Sequence, residues 1–307
     1  MSVPAVEVTD LVMRYGEVTA VDGLSLRVEP ATTTAILGPN GAGKTTMLET
    51  CEGYRTPQSG SVRVLGLDPV RQHGALAPRL GVMLQAGGAW SGVRADEMLG
   101  YVASLYAHPL AVPDVVERLG LASCGRTPYR RLSGGQQQRL GLAMAIVGRP
   151  EIVFLDEPTA GLDPQSRRAT WELVEQLAAD GVSVVLTTHY MEEAERLARR
   201  VVVVDHGRVI ASGSPGELMS AGAKNTILFT AKPGLHTDEL LWALPEEYSV
   251  VEEPAGHYRV EGEVTPHTLA AVTAWCASLD VMPEDLVIGK HSLEDVFLAL
   301  TGKRLRS

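Results

Sequence analysis

The chain has 307 residues, 45% of them hydrophobic and 21% charged, with a formal net charge of −10 at pH 7. That length exceeds one small core and predicts two domains, and the composition is that of a globular chain rather than a disordered or fibrous one. The acidic balance argues against nucleic acid as the main partner.

No stretch approaches the ~20 consecutive apolar residues that a membrane-spanning helix needs. The longest pure aliphatic run, residues 201–204, has the length of a strand. A membrane role is therefore expected to run through a partner chain. Residues 1–5 lack the basic start and apolar stretch of a signal peptide. Cys51, Cys124 and Cys276 are far apart and odd in number, which fits a reducing compartment and neither a disulfide framework nor a zinc site. Cys51 reads as a small buried hydrophobe.

Residues 6–12 and 24–28 alternate apolar and polar side chains and predict strands joined through turns at Tyr15-Gly16 and Asp22-Gly23. Tyr15 lies shortly before a glycine-rich loop. It can stack on an adenine ring or sit half-buried at the surface, and spacing alone does not decide. A β-rich run, residues 32–37, then leads into Gly38-Pro39-Asn40-Gly41-Ala42-Gly43-Lys44-Thr45-Thr46, of the form G-x-x-x-x-G-K-[ST], and a helical segment follows over 46–51. Glycines let backbone N–H groups turn toward phosphate oxygens, and the helix start adds unpaired donors and a positive dipole end. Lys44 can reach the β- and γ-phosphates, and the Thr45 hydroxyl can ligate Mg²⁺.

Residues 61–65 and 79–84 predict two more strands, the second ending at Gln85. A mostly helical insertion follows over 88–131. Leu132-Ser133-Gly134-Gly135-Gln136 then opens a strong helix, with Ser133 as its N-cap. A glycine-rich helix start is a second anion site. Two such sites on one chain are unusual.

Residues 152–155 form a buried strand that ends in Asp156-Glu157, at the ligand-bearing edge expected of a parallel sheet. Asp156 can hold Mg²⁺ through water, and Glu157 can polarise an attacking water. The tight loop 158–164 that follows argues against a pair of merely exposed acids. After a helix over 165–179, the strand 182–186 runs into Thr187-Thr188-His189, and a histidine at that edge can contact a γ-phosphate. A helix over 191–200 is expected to pair Glu192 or Glu195 with Arg196 or Arg199 at its surface. Residues 201–211 predict a hairpin, and 214–218 a short helix.

A composition shift at 221–225 marks a boundary. Beyond it the order βαββαβ, closed by a helix from Ser292, predicts a small ferredoxin-like α+β domain. Its histidines, His236, His257, His267 and His291, lack metal-ligand spacing. Residues 303–306 read as a solvated basic end, with contact to lipid headgroups as the alternative.

In sequence, these motifs resemble the ATP-binding subunits of ATP-binding-cassette (ABC) transporters, over about residues 6–218. The resemblance adds Gln85 as the Q-loop glutamine touching Mg²⁺, Leu132 to Gln136 as the signature, Gly161-Leu162-Asp163 as the D-loop, and His189 as the switch histidine. It also favours Tyr15 as the adenine-stacking residue. It implies a P-loop NTPase fold: a RecA-like core with an antiparallel β subdomain and a helical subdomain at about 88–150, together making a cassette over 1–222. A C-terminal accessory domain would occupy 223–307.

The implied ligands are ATP and Mg²⁺, and the implied reaction is hydrolysis of ATP to ADP and phosphate. Two cassettes, a second copy or a paralogue, would pack head to tail. ATP on the loop Gly38 to Thr46 of one would be closed over by Ser133, Gly134, Gly135 and Gln136 of the other, with Asp163 reaching across. A separate transmembrane permease would dock near residues 87–99 at the cytoplasmic face of the membrane. The stretches 85–88, 155–164 and 292–297 are similar to the drug-exporter branch related to daunorubicin-resistance ATPases. Exporters of lipid, polysaccharide or ions, and non-transport ABC proteins of translation or DNA repair, are the alternatives. A single cassette and the short gap between Gln85 and Leu132 weigh against the last two. A P-loop kinase would leave Leu132 to Gln136 unexplained.

Overall fold

The computed structural model describes residues 3–84, 88–221, 226–245, 247–289 and 292–302. Gln85, the expected boundary residues 222–225, His291 and the basic tail 303–306 lie outside the described residues. The chain divides after Pro215 into two compact units.

In chain order the first unit contains β1 (Val6–Tyr15), β2 (Val18–Val28), β3 (Thr33–Leu37), α1 (Lys44–Cys51), β4 (Ser59–Val64), α2 (His73–Leu76) and β5 (Leu80–Met83). There follow α3 (Ala95–Ser104), α4 (Val112–Arg118), α5 (Gly134–Ile146), β6 (Ile152–Asp156), α6 (Pro164–Ala179), β7 (Ser183–Thr188), α7 (Met191–Leu197), β8 (Arg200–Asp205) and β9 (Arg208–Gly213).

A six-stranded sheet runs in the order β5-β6-β7-β3-β8-β9, parallel except where β9 turns back on β8. Every residue of β3, β6 and β7 is buried. Strands covered on both faces lose the apolar–polar alternation and become continuous apolar runs, which is why these three segments read so plainly. Pairing of Leu37 with Thr188 and of Asp156 with Thr187 brings the carboxyl ends of β3, β6 and β7 to one edge. Everything that follows those strands is delivered to that edge.

A second, antiparallel sheet, β2-β1-β4, shares one apolar core with the first sheet and α1. Leu11, Val21 and Leu24 pack there with Met47, Cys51, Phe154 and Val202. The burial of Cys51 agrees with its reading as a small hydrophobe. In the helical part, α3 packs on α5 and α4.

Two expectations need correction. Asp22-Gly23 is not a turn: both residues lie inside β2, where Leu24 faces Leu11 and Asp22 faces Val12, leaving Gly23 as an extra residue at φ 70°. A glycine tolerates that left-handed bulge, and β1 and β2 are joined instead near Gly16. Helix α7 stops at Leu197, and Arg200 already belongs to β8. Arg196 also hydrogen-bonds Glu175 of α6, Nε to Oε1 at 2.8 Å, besides feeling the charge of Glu192 on its own helix.

The second unit holds α8 (Pro215–Ala221), β10 (Thr226–Thr230), α9 (Asp238–Ala243), β11 (Ser249–Glu252), β12 (His257–Glu261), α10 (Pro266–Ser278), β13 (Glu284–Gly289) and α11 (Leu293–Thr301). Its four strands form an antiparallel sheet in the order β11-β12-β10-β13. Phe229 and Tyr258 stack with centroids 5.3 Å apart, and Trp275 of α10 meets both rings edge-on. Leu240, Val260 and Val272 complete that core.

Candidate functional site

The loop between β3 and α1 forms because its glycines accept backbone angles closed to other residues. Gly43 sits at φ 98°, and a Cβ there would lie 2.3 Å from the Ala20 carbonyl oxygen. No side chain caps α1, so its first-turn N–H groups stay available to an anionic ligand. Lys44 is only 7% exposed, and its Nζ donates to the carbonyl oxygens of Gly38 at 2.8 Å and Pro39 at 3.1 Å. Burial pulls its pKa down, against the opposing pull of Glu157 and Asp156.

The carboxylate of Asp156, at the end of β6, receives one hydroxyl on each oxygen. Thr45 Oγ1 donates to Oδ2 at 3.0 Å, and Thr187 Oγ1 donates to Oδ1. A hydroxyl and a carboxylate this close are hard oxygen donors suited to Mg²⁺. Among the described residues no group of three or more His, Cys, Asp or Glu could hold a metal by itself.

Glu157 follows directly, at φ 50° and 9% exposed. Its backbone N–H donates to the Thr187 side chain at 3.0 Å and to the Thr187 carbonyl at 3.2 Å. This anchoring turns the carboxylate toward the end of β7, where Oε2 lies 3.4 Å from His189 Nδ1. The loop Gly38 to Thr46, Asp156, Glu157 and His189 are thus brought together at one sheet edge.

Tyr15 ends β1, is 41% exposed and carries the Arg55 guanidinium 5.1 Å from its ring centroid. An open aromatic face there can take a flat ring.

The remaining candidates form a second group. Ser133 and Gln136 cap α5 reciprocally: Gln136 N–H donates to Ser133 Oγ at 3.3 Å, and Ser133 N–H donates to Gln136 Oε1 at 2.9 Å. Gln136 therefore spends its side-chain oxygen on the helix end itself. Ser133 and Gly134 are exposed. A Cβ on Gly135 would sit 3.4 Å from Leu162, which places the α5 tip beside the loop preceding α6. Asp163 caps α6 through Gln165 N–H, Ser166 N–H and Ser166 Oγ, and the Ser166 hydroxyl chiefly holds its pKa down. Among the described residues no hydrogen bond or ion pair joins this group to the first.

Sequence reasoning missed three buried polar residues. Thr187 was counted only as part of a strand end, yet it bonds Asp156 and Glu157 together. Glu193 was not singled out, yet it is fully buried; its only signal is a shared helical face with Leu197. Glu52, at the end of α1, is 4% exposed. Burial, with the charges of Asp156 and Glu49 adding, pushes its pKa up to about 8. It lines a cavity of about 310 Å³ together with Tyr54, His73, Tyr106 and Met144.

A parallel sheet whose carboxyl edge carries a glycine-rich anion loop, a metal-suited acid and a second acid facing histidine defines a P-loop NTPase. Comparisons with known proteins take this further. Residues 21–160 match the family described as ABC transporter. The chain is 35% identical over 307 residues to daunorubicin resistance ATP-binding protein DrrA3 of Streptomyces coeruleorubidus, covering 98% of this chain and 97% of that one. It is 36% identical over 315 residues to Nod factor export ATP-binding protein I of Ralstonia nicotianae, covering 99% and 96%. A solved bacterial ABC transporter cassette described as dimeric shares the fold, with TM-score 0.62 and 24% identity over 68% of this chain and 98% of that one. The chain belongs to the ATP-binding subunits of ABC transporters. No helix among the described residues is long and apolar enough to cross a membrane.

Proposed function

We propose that this subunit hydrolyses ATP as one of a head-to-tail pair, a second copy or a paralogue, and so drives a separate membrane permease that exports a drug or another hydrophobic small molecule. The observation that carries the reading is that the two anion-suited helix tips belong to separate groups, with no hydrogen bond or ion pair joining them among the described residues. The α1 tip has Asp156, Glu157 and His189 beside it, while the exposed α5 tip lies beside Leu162 and Ser166 of the loop and helix that Asp163 caps. A nucleotide held between two chains would take one tip from each.

In this reading Lys44 and the N–H groups of α1 grip the phosphates. Tyr15 stacks on the adenine, Glu157 orients the attacking water, and His189 holds the γ-phosphate. Thr45 and Asp156 would hold Mg²⁺, with Gln85 as a further ligand. That ion would supply charge neutralisation on the phosphates. The work of the chain is positioning and electrostatic stabilisation of charge that develops on transfer. Ser133, Gly134, Gly135, Gln136 and Asp163 would act on the nucleotide of the partner.

The permease would dock at residues 87–99, at the cytoplasmic face of the membrane. Support comes from the exposed Trp90, packed on the half-exposed Tyr101 with centroids 5.3 Å apart, and from the adjacent cavity. Residues 1–222 would be the cassette, with its helical part at about 88–150. Residues 223–307 would be a ferredoxin-like accessory domain. The relatives named for Nod factor export favour a second cargo reading, a Nod-factor-type molecule. The test is Glu157→Gln, which should bind ATP, stop turnover and accumulate a dimer with ATP by light scattering. A variant that binds ATP and stays monomeric at every concentration refutes the paired site.

A further inference from the structure

Glu193 lies on α7 with no exposure to solvent. Its Oε1 accepts hydrogen bonds from Thr159 Oγ1 at 2.9 Å and from Trp171 Nε1 at 3.1 Å. The Thr188 hydroxyl lies beside the same carboxyl, and the Arg167 charge faces it. Among the described residues Oε2 has no hydrogen-bond partner. Burial raises the proton affinity of this group, and the hydrogen bonds and Arg167 oppose the rise only in part. A buried acid left half-satisfied is costly unless its geometry is used.

What meets there is informative. Thr159 belongs to the loop that runs from Glu157 to Asp163, and Ala160 N–H and Leu162 N–H fold that loop back on itself. Trp171 stands on α6, the helix that Asp163 caps. Thr188 immediately precedes His189. One carboxyl therefore sits between the loop bearing Glu157 and Asp163, the helix that follows it, and the strand end bearing the switch histidine. A second tie runs in parallel: the Arg167 guanidinium lies 4.4 Å from the Tyr190 ring centroid, and the Tyr190 ring lies 4.1 Å from that of His189.

We infer that Glu193 is a positioning residue for hydrolysis, a buried clamp that holds the loop from Glu157 to Asp163 in register with His189, so that the two move as one piece when nucleotide arrives. The inference rests on the proposed ATPase reaction. Glu193 touches neither substrate nor reacting atoms; it acts through Thr159, Trp171 and Thr188. Gln keeps an oxygen that can accept from both Thr159 and Trp171. Met keeps the volume and loses both bonds, leaving the buried Thr159 hydroxyl and Trp171 N–H without their acceptor, so its stability is followed beside its activity.

The test compares wild type, Glu193→Gln and Glu193→Met in the full chain. ATP affinity, kcat, KM and thermal melting are measured, together with the His189 ring resonances of the nucleotide-free protein. Loss of register should lower kcat of Glu193→Met at least ~10-fold, the scale on which small misplacements act. KM should stay within about twofold, because the grip of the α1 loop on phosphate is untouched. Glu193→Gln should recover most of kcat, and the His189 resonances should move in the Met variant and not in the Gln variant. Wild-type kcat in Glu193→Met, or an equal loss in the Gln and Met variants, overturns the clamp. If Glu193→Met fails to fold, Thr159→Val removes one tie and should lower kcat ~3-fold or more at unchanged KM; an unchanged kcat there overturns it equally. If wild type does not hydrolyse ATP, the proposed function fails, and the His189 resonances alone decide the clamp: movement in the Met variant only supports it, and any other pattern overturns it.

Discussion

Replacing Glu52 by Gln should make the first unit more stable at neutral and alkaline pH. The carboxyl is buried, makes no bond through Oε2 among the described residues, and sits near the charges of Asp156 and Glu49. Its pKa stands at about 8 against an ordinary value of 4.5. An acid whose pKa rises on folding binds its proton more tightly in the native state. Its contribution is fully present below pH 4.5 and is lost as pH climbs through about 8. Over that window wild type should lose about 1.4 kcal/mol per pH unit from this group, reaching ~3 kcal/mol at pH 7 and ~5 kcal/mol near pH 9. Gln imitates the protonated acid in shape and cannot ionise.

The assay is urea unfolding of both proteins at pH 5, 7 and 8.5, following the hydrogen-exchange protection of α1 amides so that the second unit does not confuse the transition. The two proteins should agree within about 1 kcal/mol at pH 5, and the advantage of Gln should widen steadily to pH 8.5. Parallel pH profiles, or an advantage that is largest at pH 5, would show that Glu52 ionises without penalty and refute the reasoning.

Lys44→Ala should weaken ATP binding by 10-fold or more, since it removes both a phosphate contact and the brace across the Gly38 and Pro39 carbonyls; calorimetry with ATP reads the change. Thr187→Val should lower kcat by ~10-fold or more and stability by about 1–3 kcal/mol, because it removes the hydroxyl donor to Asp156 Oδ1 and leaves the Glu157 N–H with the Thr187 carbonyl alone; turnover assays and urea unfolding check both parts. Tyr15→Ala should raise the ATP dissociation constant several-fold while Tyr15→Phe leaves it unchanged, if stacking rather than the hydroxyl matters. Fluorescence titration with ATP separates the two variants.

The strands and the site were legible for the same reason. β3, β6 and β7 are buried on both faces, so each is a short apolar run, and the chemistry-bearing residues follow each run within one to nine positions. Gly38, Asp156, Glu157 and His189 could be placed at one edge before any contact was known. The capping residue Ser133 was equally local, whereas the cap that Asp163 makes on α6 appears only in the structure. What could not be read depended on contacts distant in sequence. Glu193 bonds Thr159 across 34 residues and Trp171 across 22, and in a helix beginning Met191-Glu192-Glu193 it looks like any surface acid. Arg196 hydrogen-bonds Glu175, 21 residues away, a partner that spacing along its own helix cannot announce. Asp22-Gly23 has the composition of a turn, and only the pairing of β2 with β1 shows it to be a bulge.

The hydrogen bonds around Asp156 leave the α1 loop ordered before any nucleotide arrives. Lys44 is held by two loop carbonyls, Thr45 by Asp156, and Asp156 by Thr187, which in turn fixes the backbone of Glu157. Each cationic or hydroxyl donor already has an oxygen partner in the place where phosphate oxygens and water would supply others. Exchange of partners, rather than creation of new order, is then what binding requires, and exchange costs less than ordering a free loop. The α5 tip is different: its cap is satisfied within the chain while Ser133 and Gly134 stand in solvent. A preformed cradle on one side and an exposed, self-capped tip on the other are consistent with the proposed paired site, in which the cradle would hold the nucleotide and the tip would engage one presented by a second cassette.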